Sequence, residues 1–170
     1  MDKATLQNSM RVNILVVSDR AAGGERADAT GLALGEFLKT KNVETVAVEI
    51  VPDEKAQIVK ALQQMCPDAD LILTAGGTGL AARDVTPEAT AQVVERLAPG
   101  IAEAMRAAGL RITPHAMLSR GIAGTRGKTL IINLPGSPKG AVESLAAVWE
   151  ALPHAVALLR GPVGDESHKG

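Results

Sequence analysis

Two periods of apolar residues alternate along the chain and predict its elements. Val12 to Val17 is a short β-branched run and reads as a buried strand. Asp28 to Lys41 sets Leu34, Phe37 and Leu38 at helical spacing. Val43 to Val51 alternates Val43, Val46, Val48 and Ile50 with Glu44 and Glu49, the period of a second strand. Asp53 to Cys66 puts Ile58, Leu62 and Met65 on one helical face, and Leu71 to Thr74 is a third buried strand. This β-α-β-α-β order predicts a parallel sheet covered by helices, an α/β fold.

The second half repeats the theme. Thr86-Pro87-Glu88 is a helix start: Thr as cap, Pro at the first helical position, Glu for the dipole. Pro99-Gly100 divides that helix from another near Ile101 to Ala108. Leu130 to Leu134 is an apolar strand, and Ser137-Pro138 opens a helix running to about Trp149. A short helix around His154 to Leu159 precedes a Gly- and charge-rich tail. Residues 1–9 read as a flexible arm, 10–161 as one domain and 162–170 as a flexible tail.

Composition narrows the function classes. At 170 residues the chain can bury one substantial core. Phe37 and Trp149 are the only aromatic residues, so the core must be aliphatic and no base-stacking nucleic-acid surface is expected. The formal charge of −1 argues against a duplex-binding patch. The apolar runs are too short to predict a membrane span, and MDKATLQNSM lacks a signal-peptide core. Cys66, the single cysteine, cannot close an internal disulfide and suits a reducing, cytoplasmic compartment. His115, His154 and His168 are too scattered for a zinc site.

In an open α/β sheet, ligands bind beyond the carboxyl ends of the strands. Four segments at predicted strand ends are unusual: Ser18-Asp19-Arg20 with Gly23-Gly24, Val51-Pro52-Asp53-Glu54, Ala75-Gly76-Gly77-Thr78-Gly79, and Asn133-Leu134-Pro135-Gly136-Ser137. Gly76, Gly77 and Gly79 allow backbone amides to approach a phosphate; the plain alternative is a tight surface turn. Ser137-Pro138 is either a second anion-facing helix start or a simple cap. Asp84 and Asp53 suit Mg²⁺, which takes one or two carboxylates plus phosphate oxygens, but each alone is more often a cap or turn residue, and Asp53 could simply cap its helix. Arg120, in a polar break after Ser119, is a candidate phosphate partner or a solvated side chain.

Two motifs are decoys. Gly77-x-Gly79-x-x-Ala82 matches a dinucleotide fingerprint, but it follows the third strand and its helix waits until Pro87. Gly127-Lys128-Thr129 resembles the end of a Walker loop, but Ile122 stands where the first glycine is required and a strand follows.

Longer motifs carry a family resemblance. SDR at Ser18, PDE at Pro52, GGTG followed by RDVTPEAT, LSRGIAGTRGKTLIINLPGSPKG and LPHAVALLRG together resemble the MogA/MoaB family of molybdenum-cofactor biosynthesis and the G domain of gephyrin. The resemblance runs from about Arg11 to Gly161. It implies a three-layer α/β/α sandwich with a mostly parallel sheet, a homotrimer, and Mg-ATP-dependent adenylylation of molybdopterin, whose product passes to a molybdate-inserting enzyme. It also implies Asp53 and Asp84 as the catalytic, metal-bearing acids. Ser18, Gly76, Gly77, Thr78, Gly79, Ser119, Arg120, Pro135, Gly136 and Ser137 then belong to substrate-binding loops. A non-catalytic molybdopterin-binding scaffold and a CinA-like nucleotide pyrophosphatase are the competing readings.

Overall fold

The computed structural model describes residues 2–162. Its framework is a six-stranded sheet in the order β2-β1-β3-β6-β5-β4. The strands β1 (Val12–Val17), β2 (Thr45–Val51), β3 (Leu71–Ala75) and β6 (Thr129–Leu134) run parallel. Antiparallel to β6 lies β5 (Ala123–Arg126), which in turn pairs antiparallel with the two-residue β4 (Arg96–Leu97). The sheet is thus mostly parallel, as expected. Its antiparallel corner was not foreseen: the β5–β6 hairpin closes on Gly127 at φ +55°, inside the segment that mimics a Walker loop.

Helices α1 (Lys3–Asn8), α2 (Asp19–Ala22), α3 (Ala29–Thr40), α4 (Lys55–Met65), α5 (Thr86–Val93), α6 (Pro99–Leu110), α7 (Pro138–Val148) and α8 (Leu152–Arg160) complete the chain. Because parallel strands need crossover helices, β1, β3 and β6 are buried on both faces and read as continuous apolar runs. On one face Ile14, Leu73 and Ile132 meet Leu34 and Leu38 of α3, Leu145 of α7 and Val156 of α8. On the other, Leu15, Ile72 and Ile131 meet Ile58 and Leu62 of α4 and Ala89 and Val93 of α5. These two cores make the three layers. The chain's two aromatic rings, Phe37 and Trp149, pack edge to face at 5.7 Å.

Several expectations shift. Residues 1–9 are not a loose arm in the described part: Lys3–Asn8 is helical, packs on α8, and Gln7 Nε2 donates to the Lys41 carbonyl. From 163 onward the expected tail lies outside the described residues. The helix starting at Thr86 ends at Val93, since residues 94–97 turn into the sheet edge through β4. By length and composition the stretch Pro138–Arg160 could cross a bilayer. It is instead broken by a tight turn at Trp149–Ala151, and Leu145, Trp149, Leu152 and Val156 of this stretch are buried in the core.

A buried amide holds the layers beneath the glycine loop. Asn133 Nδ2 donates to Thr74 Oγ1 and Thr90 Oγ1, both at 2.9 Å, and its Oδ1 accepts from the Ile122 amide at 3.2 Å. At the amino end of β3, Asp70 is 3% exposed and bonded by Arg11 and Arg160.

Candidate active site

Since β1, β2, β3 and β6 are parallel, their carboxyl ends deliver four loops to one rim. The loop after β3 is the tightest. Gly76 has φ +105°, and a Cβ there would stand 2.2 Å from the Val17 carbonyl oxygen. Gly77 has φ +67°, and its Cβ would fall 2.3 Å from Thr86 Oγ1 and 3.2 Å from Asp53 Oδ1. Positive φ and close approach together require glycine at both positions. A Cβ on Gly79 would come within 2.9 Å of Asp84 Oδ2. Asp53 and Asp84 therefore each abut bare glycine backbone.

Asp53 and Asp19 bond reciprocally: each backbone N–H donates to the other's carboxylate at 2.9 Å. This uses Asp53 Oδ2 and turns Oδ1 toward Gly77. Asp53 does not cap α4; Glu54 holds the cap position without a side-chain bond. Burial pushes the Asp53 carboxyl above its ordinary range, and the charges of Asp19 and Asp84 add to the rise. Arg83 donates to both oxygens of Asp19, at 2.6 and 3.0 Å, and to Glu54 at 3.2 Å. The hydrogen bond from Arg83, and then that from the Asp53 amide, draws the Asp19 carboxyl down. Arg83 thus spans three loops, a role no periodicity announces.

Two hollows adjoin. A polar cleft of about 500 Å³ is lined by Ser18, Asp19, Asp53, Gly76, Gly77 and Asp84, together with Gly136 and Ser137. A second pocket of about 350 Å³ is mainly apolar and includes Thr78, Gly79, Ile112, Leu118, Ser119 and Pro135. Ser137 borders both, and the glycine loop separates them. Ser137 caps α7, its Oγ accepting from the Gly140 amide at 3.1 Å. Ser18 likewise caps the short α2 through Ala21 N–H at 3.2 Å.

Sequence reasoning assigned Thr86 to the cap of its helix. Thr86 is instead fully buried inside the first turn, and its hydroxyl donates to the Gly76 carbonyl at 2.8 Å. Glu88, expected to serve the helix dipole, faces Arg120. The guanidinium of Arg120 meets protein acceptors: the carbonyls of Gly79 and Asp84, each at 2.7 Å, and the Glu88 carboxylate. Its hydrogen bonds hold the loop.

Among the described residues no group of three His, Cys, Asp or Glu is disposed as a closed metal cage. Two carboxylates on an open cleft beside glycine amides are a different donor set. They suit a hard cation that keeps water and takes phosphate oxygens, as Mg²⁺ does. Asp53, half-buried beside Asp19 and Asp84 with one oxygen unclaimed by a hydrogen bond, is the side chain such a cation would relieve.

The fold and rim define an α/β protein with an open cleft at its parallel strand ends, the place where ligands of such sheets bind. The family model described as "Probable molybdopterin binding domain" matches residues 13–154. The chain belongs to this molybdopterin-binding-domain family. It is 45% identical over 157 residues to the molybdopterin adenylyltransferase of Helicobacter pylori (strain J99), covering 90% of this chain and 89% of that one. Against the molybdopterin adenylyltransferase of Escherichia coli (strain K12) it is 38% identical over 171 residues, covering 91% and 88%. The solved structure of the molybdopterin biosynthesis enzyme MoaB from Thermus thermophilus superimposes with a TM-score of 0.85 at 57% identity, covering 90% of this chain and 98% of that one.

Proposed function

We propose that this protein transfers the adenylyl group of ATP to the terminal phosphate of molybdopterin. The names of its relatives support this reading. The observation that carries it is the pairing of two unlike hollows across one glycine loop: an acid-lined polar cleft and an apolar pocket that share Ser137. A reaction between two ring-bearing phosphates needs such a pair, with rings held apart and phosphates brought together.

A molybdopterin phosphate oxygen attacks the α-phosphorus of ATP. A new P–O bond forms, the bond to the β-phosphate bridge breaks, and its electron pair leaves on pyrophosphate. No protein base is required, because a phosphate monoester is largely ionised near neutral pH. Both reactants are polyanions, so charge compensation dominates the barrier. Asp53 and Asp84 would hold Mg²⁺, which would supply positive charge against the negative charge building on pyrophosphate. The amides of Gly77 to Gly79 and the α7 start at Ser137 orient the phosphates with donors already in place, while the Gly76 amide donates to the Leu134 carbonyl and anchors the loop. Ser18, Ser119, Pro135 and Gly136 shape the walls. We further propose a cytoplasmic homotrimer that hands its product to a molybdate-inserting enzyme. The exposed apolar row Val46, Val48 and Ile50 on the edge strand β2 offers a surface suited to self-association.

The test is Asp84→Asn, assayed with molybdopterin and Mg-ATP for pyrophosphate and adenylylated product. Turnover is expected to fall by about 10²-fold or more, with the fold and oligomer unchanged. A wild-type rate in that variant rejects the reading. Molybdopterin binding by the native protein with no pyrophosphate release would make it a scaffold.

A further inference from the structure

Arg120 is bonded to the glycine loop that separates the two hollows and lines neither of them. Nε donates to the Gly79 carbonyl and Nη2 to the Asp84 carbonyl, both at 2.7 Å. Nη1 is in close contact with Glu88 Oε1, and Nη2 lies 3.5 Å from Oε2. The Arg120 backbone N–H donates to the Thr78 carbonyl at 2.8 Å. One residue thus grips the glycine loop at positions 78, 79 and 84. Its neighbour Ser119 lines the apolar pocket, and Asp84 lines the polar cleft. Glu88 belongs to neither lining. It stands in the first turn of α5, where the hydrogen bond from Arg120 draws its carboxyl down.

A planar guanidinium can serve two carbonyls and a carboxylate at once; a lysine ammonium cannot reproduce that fork. We infer that Arg120 is a positioning residue: braced by Glu88, it fixes the Asp84 backbone against the glycine loop and so sets where the Asp84 carboxylate stands, rather than binding phosphate itself. This rests on the adenylyl-transfer reading for its catalytic consequence. The clamp itself can be tested without it.

The variants are Arg120→Lys, Glu88→Gln and the pair together. In Arg120→Lys, kcat for adenylylation should fall by about 10- to 100-fold, with KM for ATP and molybdopterin within about twofold. Glu88→Gln should reproduce part of that loss, and the double variant should lose less than the product of the single effects. A raised KM for molybdopterin at intact kcat in Arg120→Lys would make Arg120 a substrate ligand and overturn the inference. So would normal kinetics in Glu88→Gln. Hydrogen exchange gives the independent readout. Amides of residues 77–84 should exchange about tenfold faster in either single variant while those of β3 stay unchanged. Equal exchange in variant and native protein overturns the clamp even if the native protein proves to have no transferase activity. Absent turnover together with faster loop exchange would reject the adenylyl-transfer reading alone.

Discussion

The two ends of the central sheet hold aspartates in opposite electrostatic states. At the amino end, burial alone would push the Asp70 carboxyl up. Hydrogen bonds from Arg160 and Arg11 outweigh it and hold the group at about 2. Arg160 also reaches the Ser9 hydroxyl and carbonyl at 2.9 and 2.8 Å, so one carboxylate ties α8 and the chain entry to β3. At the carboxyl end, Asp53 is also withdrawn from water but has no cation of its own; its neighbours are Asp19 and Asp84, and its carboxyl is raised. Arg83 is near enough to help but is bonded to Asp19 and Glu54. The same side chain is saturated at one end and left in need at the other. The first arrangement is structural; the second fits the cation site proposed above.

That contrast can be broken experimentally. The largest effect is expected at Asp70. Asp70→Asn leaves two guanidinium groups facing a neutral partner and should cost about 3 kcal/mol. For a chain of this size that lowers Tm by roughly 6–12 °C, read by calorimetry, with kcat little changed because the site is at the other end. Asp53→Asn should do the reverse. Turnover should fall by about 10²-fold, while Tm holds or rises, because a carboxylate held among like charges is removed. A Tm drop in Asp53→Asn as large as that of Asp70→Asn would erase the distinction.

Acid titration gives the smallest and sharpest separation. Asp70 titrates at about 2 in the folded protein against 3.8 for the free group. Its depressed value contributes about 2 kcal/mol. The sign follows: that stability is full above the unfolded pKa and is lost as pH falls from 3.8 through about 2. Asp53 has the opposite sign. Its raised carboxyl weakens the fold at neutral pH, and protonation relieves it as pH falls through the folded value. Urea midpoints measured from about pH 6 to about pH 2 should therefore show a flatter acid limb in Asp70→Asn and a steeper one in Asp53→Asn. Parallel curves for the two variants would mean that the two carboxyls share one environment.

Much of the fold was legible because the pattern is locally consistent. Apolar runs of strand length between helical periods leave few arrangements besides a parallel sheet with helices on both faces. The missed elements are those whose cause is distant. Ala123-Gly124-Thr125-Arg126 has no alternation to mark β5; it becomes a strand because β6 offers it a free edge. Arg96–Leu97 is too short to show any period. At the site, the glycine loop and both acids stood out by residue type. Thr86 did not, because Thr before Pro-Glu is indistinguishable from a cap until Gly76 is seen within reach of its hydroxyl. Asp19, Arg83 and the bracing of Arg120 by Glu88 were hidden for the same reason: each pair is separated by more than thirty positions.

The sequence by itself determined the fold class, the family and the presence of a glycine loop flanked by acids. Those depend on residue types in order along the chain: periods of apolar side chains, glycines where a Cβ is forbidden, aspartates after strands. Only the tertiary structure decided which aspartate is satisfied and which is not. Asp70 and Asp53 both flank strands and both are withdrawn from water. What separates them is the sign of the charge that the packed chain brings within a few ångströms, Arg11 and Arg160 in one case, Asp19 and Asp84 in the other. Electrostatic energy depends on distance through space, and that distance exists only once the strands have lined up.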